Sequence, residues 1–489
     1  MSEKKFNEAK VFFEEGINFF LEGSYDFAEN AFNNSLNLVP NRLSIINNLI
    51  KVYVKTEQNK KLEKLIEQHN HLSSEQEIQL GVAYYNFLKG DYNIAIKITE
   101  QINKSIELKN EADDLLAQIY IKKKLFAKTL KIFKQKLKKE KKNFINFYNI
   151  GCLFFDIGRV NQAYYYFNKS LKINPKNKST IWNICLCELT LRKLKNGFDL
   201  YEYRFNKKNA EKKFTNINFP KNILDITDKR ILVWDEMGLG DAVQFSRFII
   251  DLTNYTKKIT FVVNKKLTKL LSNLSPYIKV VDYEKLDSSN YDFQIPVCSL
   301  PKLLNISNVE DINFYELSLT KNKNLITKLD SSKLNVGVAW SGNPNYSKDK
   351  FRSIPFKIFK RLFNFEDVNF YKLSKETRDN EEENYNQYPN LFDFGNKSIY
   401  EISYLMKDLD LIVSSDTSII HIAGILKINS ILLLNFNSEW RWFNNLIETP
   451  WYPSVKILKQ EKFDSWNLVF EKLNKEIIFN MNKKKRQRV

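Results

Sequence analysis

Asp241 closes the tetrad Gly238-Leu239-Gly240-Asp241, where the apolar run Ile231-Leu232-Val233-Trp234 gives way to an apolar-periodic segment. That pattern reads as strand, tight loop and helix. A carboxylate in such a loop can meet a substrate hydroxyl, and it can equally serve as a helix cap. The glycines are only a fragment of the dinucleotide fingerprint, because Val243 stands where the third glycine belongs, and no Gly-Lys-Ser/Thr follows as a P-loop requires. A second strand-to-helix junction, in LDLIVSSDTSIIHIAGIL (409–426), carries Asp416, Thr417 and Ser418. Small hydroxyl residues there cap the helix and leave N–H groups pointing outward, with the partial positive charge that suits a diphosphate. His421 lies one turn further on, on the side of Thr417 and Ser418; a lone helical histidine is more often structural. In VGVAWSGNPNYSKDKFRSIP (336–355), Ser341, Gly342 and Asn343 follow a strand, and Lys348, Lys350 and Arg352 follow them. Such a loop either balances a charged leaving group or is simply solvated. Glu376, ending FYKLSKE (370–376), is a strand-end carboxylate able to hold a sugar or ribose hydroxyl. The aromatics of EWRWFNN (439–445) and TPWYPSV (449–455) suit stacking or packing. Asp408-Leu409-Asp410 falls at the entry to a strand, the wrong end for a cleft, and no metal site is expected.

The elements that must position these residues fall into two halves. At 489 residues the chain exceeds one ordinary core. Its first half repeats itself: EEGINFFLEGSYDFAENAFNNSLNLVP around Gly16 matches YNIGCLFFDIGRVNQAYYYFNKSLKINP around Gly151, aligning Ala28 with Ala163, Phe32 with Phe167 and Pro40 with Pro175. The copies lie about four periods of roughly 34 residues apart, with poorer copies between them. Each is a pair of short amphipathic helices with small residues where the helices cross. The second half alternates apolar runs (RILVW, ITFVV, YIKVVDY, FQIPV, then NVGVAW, VNFYKLS, LDLIVSS, SILLLNF) with helical segments, which predicts parallel sheets of βαβ units. The expected class is α + α/β. Residues 1–204 form a solenoid of five to six repeats, 205–224 a connector, 225–330 a first Rossmann-like unit, and 331–489 a second, with a closing helix and basic tail. Paired units of this kind hold ligands beyond the carboxyl ends of their strands.

Composition narrows the partners. The net charge is +19, but the lysines are scattered and abundant Asn and Ile accompany them, so nucleic-acid binding is not expected. The one dense cluster, NKKKRQRV (482–489), suggests peripheral membrane contact at most. The four cysteines show no CxxC spacing, and the start MSEKKFNEAK has no apolar core, so a cytoplasmic protein is expected.

The helix pairs resemble the tetratricopeptide repeat. In order along the chain, GLGDAVQFSRF, VGVAWSGNP with RSIP, SSDTSIIHIAG, EWRWF and TPWYP resemble the family nine glycosyltransferases, relatives of the heptosyltransferases that build lipopolysaccharide cores. The chain is similar to the subgroup in which such repeats precede the transferase, down to the junction NGFDLYEYRF (196–205). The resemblance implies a GT-B fold and an inverting, metal-independent glycosyltransferase of hexosyl or heptosyl type. It implies no cofactor, with a nucleotide-diphospho-sugar as co-substrate and a glycan or protein as acceptor. Asp241 matches the general base; Asp416, Thr417, Ser418 and His421 match the donor-binding helix start; Ser341, Asn343, Lys348, Arg352 and Glu376 complete the donor side. Gly238, Gly240 and Gln244 form the acceptor-side loop, Gln244 standing where heptosyltransferases often carry histidine. The repeats would recruit the acceptor or a partner protein in their groove. The alternative is a catalytically inactive repeat scaffold that retains a nucleotide-sugar-binding domain.

Overall fold

The computed structural model describes residues 3–102, 108–206, 213–319, 329–346, 349–375, 385–443, 447–463 and 465–487. The chain divides into two compact units, Met1–Leu153 and Phe154–Val489. The first is built of paired helices: α1 (Glu3–Glu22) with α2 (Tyr25–Leu38), α3 (Leu43–Lys55) with α4 (Asn59–Gln68), α5 (Gln76–Lys89) with α6 (Tyr92–Ile102), and α7 (Lys109–Lys122) with α8 (Phe126–Lys139). Small residues permit the close crossings. A Cβ on Gly16 would lie 2.6 Å from the ring of Phe32, and one on Gly81 2.7 Å from Ile50. Gly23, at φ 78°, turns the chain from α1 into α2. Ala28 and Phe32 are wholly buried among Ile46, Leu49 and Leu62. The helix pairs resemble tetratricopeptide repeats, and the sequence repeats map onto them.

The division falls inside α9 (Phe144–Asp156). The second unit continues with α10 (Val160–Ile173), α11 (Lys178–Thr190) and α12 (Leu194–Tyr201), followed by two sheets. In the first sheet β1 (Ile231–Trp234), β2 (Ile259–Val263), β3 (Ile278–Asp282) and β4 (Phe293–Pro296) run parallel in the order β3-β2-β1-β4. The second holds β5 (Leu334–Ala339), β6 (Val368–Lys372), β7 (Leu391–Asp393), β8 (Leu411–Ser415), β9 (Ser430–Leu434), β10 (Glu448–Thr449) and β11 (Tyr452–Lys459) in the order β10-β11-β9-β8-β5-β6-β7, with only β10 antiparallel. The central strands are buried along their whole length, and mostly apolar, because helices cover both faces. In each sheet the order reverses beside the first strand, β1 and β5, and such switch points open a crevice at the carboxyl ends. Helices α13 (Leu239–Leu252) and α14 (Lys265–Leu271) face α15 (Ile399–Asp408) and α16 (Ser418–Ile425), with α13 on α16 and α14 on α15. Helix α17 (Asn467–Arg486) covers the far face of the second sheet through Phe470, Leu473 and Ile477. Among the described residues no helix is long and apolar enough to cross a membrane.

The structure differs from the sequence reading in three ways. The helices α11 and α12 belong with the sheets rather than with a separate solenoid ending at residue 204. Cys185, Leu189, Leu194, Phe198 and Tyr201 share one core with Phe245, Phe248, Trp440 and Trp451. The described part of the connector is packed too: Phe214 and Ile217 lie against Leu232 and Trp234. Strand β11 begins within TPWYPSV, whose prolines hid it.

Arg204 fastens the last helix pair to the first sheet. Its Nε and Nη2 donate to both carboxylate oxygens of Glu236 (2.8 and 2.7 Å), Nη1 to Glu202 (2.7 Å), and Nη2 also to Ser299 (2.7 Å). The arginine is 3% exposed. Arg204→Met would leave Glu236 without its cation, and breaking a buried pair this way costs about 3–5 kcal/mol. A fall of that size in unfolding free energy is expected in urea titration. A loss below about 1 kcal/mol would mean that the fork does not hold the helix pair.

Candidate functional site

Gly238 is the N-cap of α13 and Asp241 its third residue. The Oδ2 atom of Asp241 accepts the Gly238 N–H (3.0 Å), closing the helix start, and Oδ1 accepts from Nη2 of Arg441. Arg441 sits in the 3₁₀ turn Trp440–Trp442, whose position is fixed by the Trp451 indole donating to the Arg441 carbonyl (2.5 Å). Its guanidinium lies over Trp440 (4.8 Å), 3.5 Å from Glu439 and 3.3 Å from the Tyr201 hydroxyl. Burial opposes its charge, but Asp241, Tyr201 and Glu439 outweigh burial and hold it well above its usual range. Two non-glycine residues with positive φ, Met237 (64°) and Phe443 (50°), flank this pair, a backbone strain that clusters at functional sites. The Asp241 carboxylate is therefore engaged on both oxygens. Gly240 has a packing reason to be glycine, because a Cβ there would lie 2.8 Å from Cδ2 of His421.

The start of α16 meets this loop. Thr417 is its N-cap, as expected, but makes no capping hydrogen bond through its side chain. Its hydroxyl instead lies 3.1 Å from that of Ser414 at the end of β8. Ser418 is half-buried. The Asp416 carbonyl accepts from Nη1 of Arg352 (3.2 Å), and its Oδ1 stands 3.9 Å from Nε2 of His421. Burial, then the Glu439 carboxylate, push Asp416 up to about 6, while Trp442, Arg352 and Arg441 pull the other way. His421 stacks on Trp442 (5.2 Å), and its Nδ1 is 2.9 Å from the Tyr452 hydroxyl. Burial and the guanidiniums of Arg441, Arg247 and Arg352 lower it to about 3, so the imidazole is neutral at physiological pH.

From the β5 end, Ser341 is 1% exposed while Asn343 is exposed and closes a turn onto Asn345 (3.0 Å). The Arg352 guanidinium rests on Gly342, where a Cβ would come within 2.8 Å of its Cζ, and its Nε donates to Asp349 (2.9 Å). Tyr346 lies against the same guanidinium (4.9 Å) and donates to Glu439 (3.2 Å). A polar chain thus runs Tyr346–Glu439–Arg441–Asp241 between the loops of the two sheets. Gln244 does not belong to the loop: it is fully buried one turn into α13, because that face of the helix points inward, and its amide has no partner among the described residues. Lys348 and Glu376 lie outside the described residues, as does the side chain of Lys350. Asp410 is occupied structurally, accepting from the Asn335 N–H (2.7 Å) and from Lys484.

So Asp241, Asp416, Thr417, Ser418, His421 and Arg352 come together, joined by Trp442 and Tyr452, from stretches noted for their aromatics, and by Arg441, Glu439, Tyr201 and Arg247, to which the sequence reading gave no role. Arg441 was visible only as one arginine among aromatics.

No protein-family model matches the chain, and no curated protein matches it. Among solved structures it is similar to TTC0263, a thermophilic tetratricopeptide-repeat protein of Thermus thermophilus (15% identity, 37% of this chain and 99% of that one, TM-score 0.34). It is similar also to pilF of Pseudomonas aeruginosa (10% identity, 43% and 96%, TM-score 0.33). A third is the TPR2AB domain of yeast Sti1 in its pHSP90 complex (11% identity, 40% and 90%, TM-score 0.18).

Two predictions follow from the packing and the charges. Gly240→Ala should cost about 1–3 kcal/mol through overpacking against His421, and His421→Ala should relieve most of that cost in the double variant. Additive losses in urea titration would separate the two residues. The pH dependence of stability is set by opposed groups. His421 is lowered from 6.5 to about 3, so its contribution is complete above pH 6.5 and is lost as pH falls towards 3. Asp416 is raised from 3.8 to about 6, so its contribution is complete below pH 3.8 and is lost as pH rises towards 6. Between roughly pH 6 and pH 4 each contributes a slope near 1.36 kcal/mol per unit, of opposite sign. Relative to the parent, His421→Gln should gain stability on acidification through this window and Asp416→Asn should lose it. Parallel stability curves for all three proteins would contradict both assignments.

Proposed function

We propose that the α/β part is a glycosyltransferase that moves a sugar from a nucleotide-diphospho-sugar to an acceptor hydroxyl, with inversion and without a bound metal. The observation that carries this reading is that Arg352 meets the Asp416 carbonyl ahead of α16, at the switch point of the second sheet, while Arg441 meets Asp241 at the switch point of the first. Helix-start N–H groups and the two guanidiniums would take the diphosphate. The acceptor oxygen would attack the anomeric carbon as the bond to the diphosphate oxygen breaks. Its proton would pass to Asp241 once the diphosphate draws Arg441 away. The leaving diphosphate keeps the bonding electron pair, and the arginines offset its charge. Neutral His421 adds no positive charge there but keeps Tyr452 and Trp442 in place. The helix pairs of the first unit would recruit the acceptor or a partner protein.

A second reading, a repeat scaffold without turnover, is favoured by the engagement of both Asp241 oxygens, by the Gly238 N–H and by Arg441. Donor affinity and turnover separate the two. Arg352→Ala should weaken binding of a nucleoside diphosphate by about 1.5–3 kcal/mol in calorimetry. Asp241→Asn should leave that affinity within a few-fold and cut transfer by about 10² to 10⁴. Binding without turnover in the parent would select the scaffold, and absence of binding to a panel of nucleotide sugars would remove both readings.

A further inference from the structure

A cavity of about 750 Å³ opens at the carboxyl ends of β9 and β11, beside the α9–α10 turn and α17, and shares no lining residue with the site above. Its volume falls in the range of roughly 300–1,000 Å³ that holds small organic ligands. Phe436, Ile447 and Ile457 form an apolar wall, with Phe436 packed on Phe463 at 4.9 Å. Gly158, in the left-handed region at φ 71°, brings bare backbone to the wall, and a Cβ there would lie 3.5 Å from the Phe436 ring.

The polar lining is cationic. Lys456, Lys459, Lys472 and Lys475 face two carboxylates, and both carboxylates are occupied, Glu476 by Lys456 (2.6 Å) and Glu461 by Lys472 (2.8 Å). Burial lowers Lys459 to about 8, so a nearby anion would draw a proton onto it at mildly alkaline pH. Gln460 is 4% exposed, and its Oε1 accepts the Phe436 N–H (3.1 Å), which fixes Nε2 as the donor end. That Nε2 is buried and has no acceptor among the described residues, and a buried donor left unmade costs free energy that a ligand oxygen would recover. Cationic lining, apolar wall and unspent donor meet in one place, and none of them serves the chemistry proposed for Asp241.

We propose that this cavity binds a small organic anion, a phosphate monoester on an apolar body, with Gln460 donating to a phosphate oxygen, Lys459 and Lys475 supplying charge, and Phe436 and Ile447 covering the body. The test uses the full chain and 1-naphthyl phosphate, in calorimetry at pH 8 in two buffers of different ionisation enthalpy. Binding with net proton uptake is expected. 1-Naphthol and inorganic phosphate, each carrying half of the recognised chemistry, should bind at least about tenfold more weakly. Gln460→Glu keeps the acceptor for Phe436 and replaces the donor with a like charge; it should weaken binding by about tenfold or more. Lys459→Met, an independent variant should the first not fold, should remove the proton uptake and weaken binding. Arg352→Ala, at the other site, should change neither. The proposal is overturned if the parent does not bind 1-naphthyl phosphate, if both cavity variants bind like the parent, or if Arg352→Ala alone abolishes binding.

Discussion

The close approach of α13 to α16 governs the rest of the α/β unit. Each helix follows the first or a central strand of its own sheet and starts at a switch point, so bringing their starts together brings two ligand-prone crevices face to face. The approach is possible only because position 240 has no side chain, leaving room for the His421 ring. That ring in turn is fixed by Trp442 and Tyr452, which come from the segment after β9 and from β11. One missing methyl group thus determines the register of the Asp241 loop against the Asp416 loop, and with it the reach of Arg441 to Asp241.

The final helix pair is part of the same construction. In sequence α11 and α12 look like one more repeat, with Gly197 at a close crossing where a Cβ would lie 2.5 Å from Leu189. Their outward apolar face, however, meets the aromatic turn instead of another helix pair: Phe198 and Tyr201 pack edge-on against Trp440 at 6.0 and 5.7 Å. Tyr201 brings its hydroxyl to Arg441, and three residues later Arg204 grips Glu236 in the loop that leads to Asp241. The last pair therefore supports the Asp241 loop from below as well as ending the array.

What was legible in the sequence was what local periodicity encodes. Helix pairs showed in the recurring Gly, Ala and Phe positions, and strands in short apolar runs. The Asp241 and Asp416 loops showed because each follows a strand and opens an apolar-periodic helix. The partners of those loops were hidden. The Asp241–Arg441 pair spans 200 residues, and no spacing rule connects a glycine loop to an arginine among tryptophans. Thr417 carries the residue type of a side-chain cap, yet Ser414 competes for its hydroxyl. Gln244 sits on the inward face of α13, where a single polar residue in an apolar stripe gives no warning of burial. The domain seam was misplaced for the same reason: amphipathic periodicity reveals that α11 and α12 bury a face, but not which partner covers it.

The charges at the site also set how any substitution there must be read. Arg247 is 4% exposed and donates to the carbonyls of Gln244 (2.9 Å) and Trp451 (2.7 Å), and burial lowers its pKa from the usual arginine value. Arg441 is almost as deeply set and depends on Asp241 and Glu439 to offset its desolvation. Removing one partner of such a pair exposes the other to the full desolvation cost, typically about 3–5 kcal/mol. A large deletion at Asp241 therefore disturbs Arg441, the turn that carries it and the His421–Trp442 stack, whether or not the carboxylate ever takes a proton. Isosteric replacement limits that disturbance, since Asp241→Asn keeps the shape and one acceptor oxygen, enough for Arg441 or for the Gly238 N–H but not for both, while losing basicity. A carboxylate whose work is chemical then loses turnover without losing the fold, whereas one whose work is to hold an arginine loses stability in proportion to the charge removed.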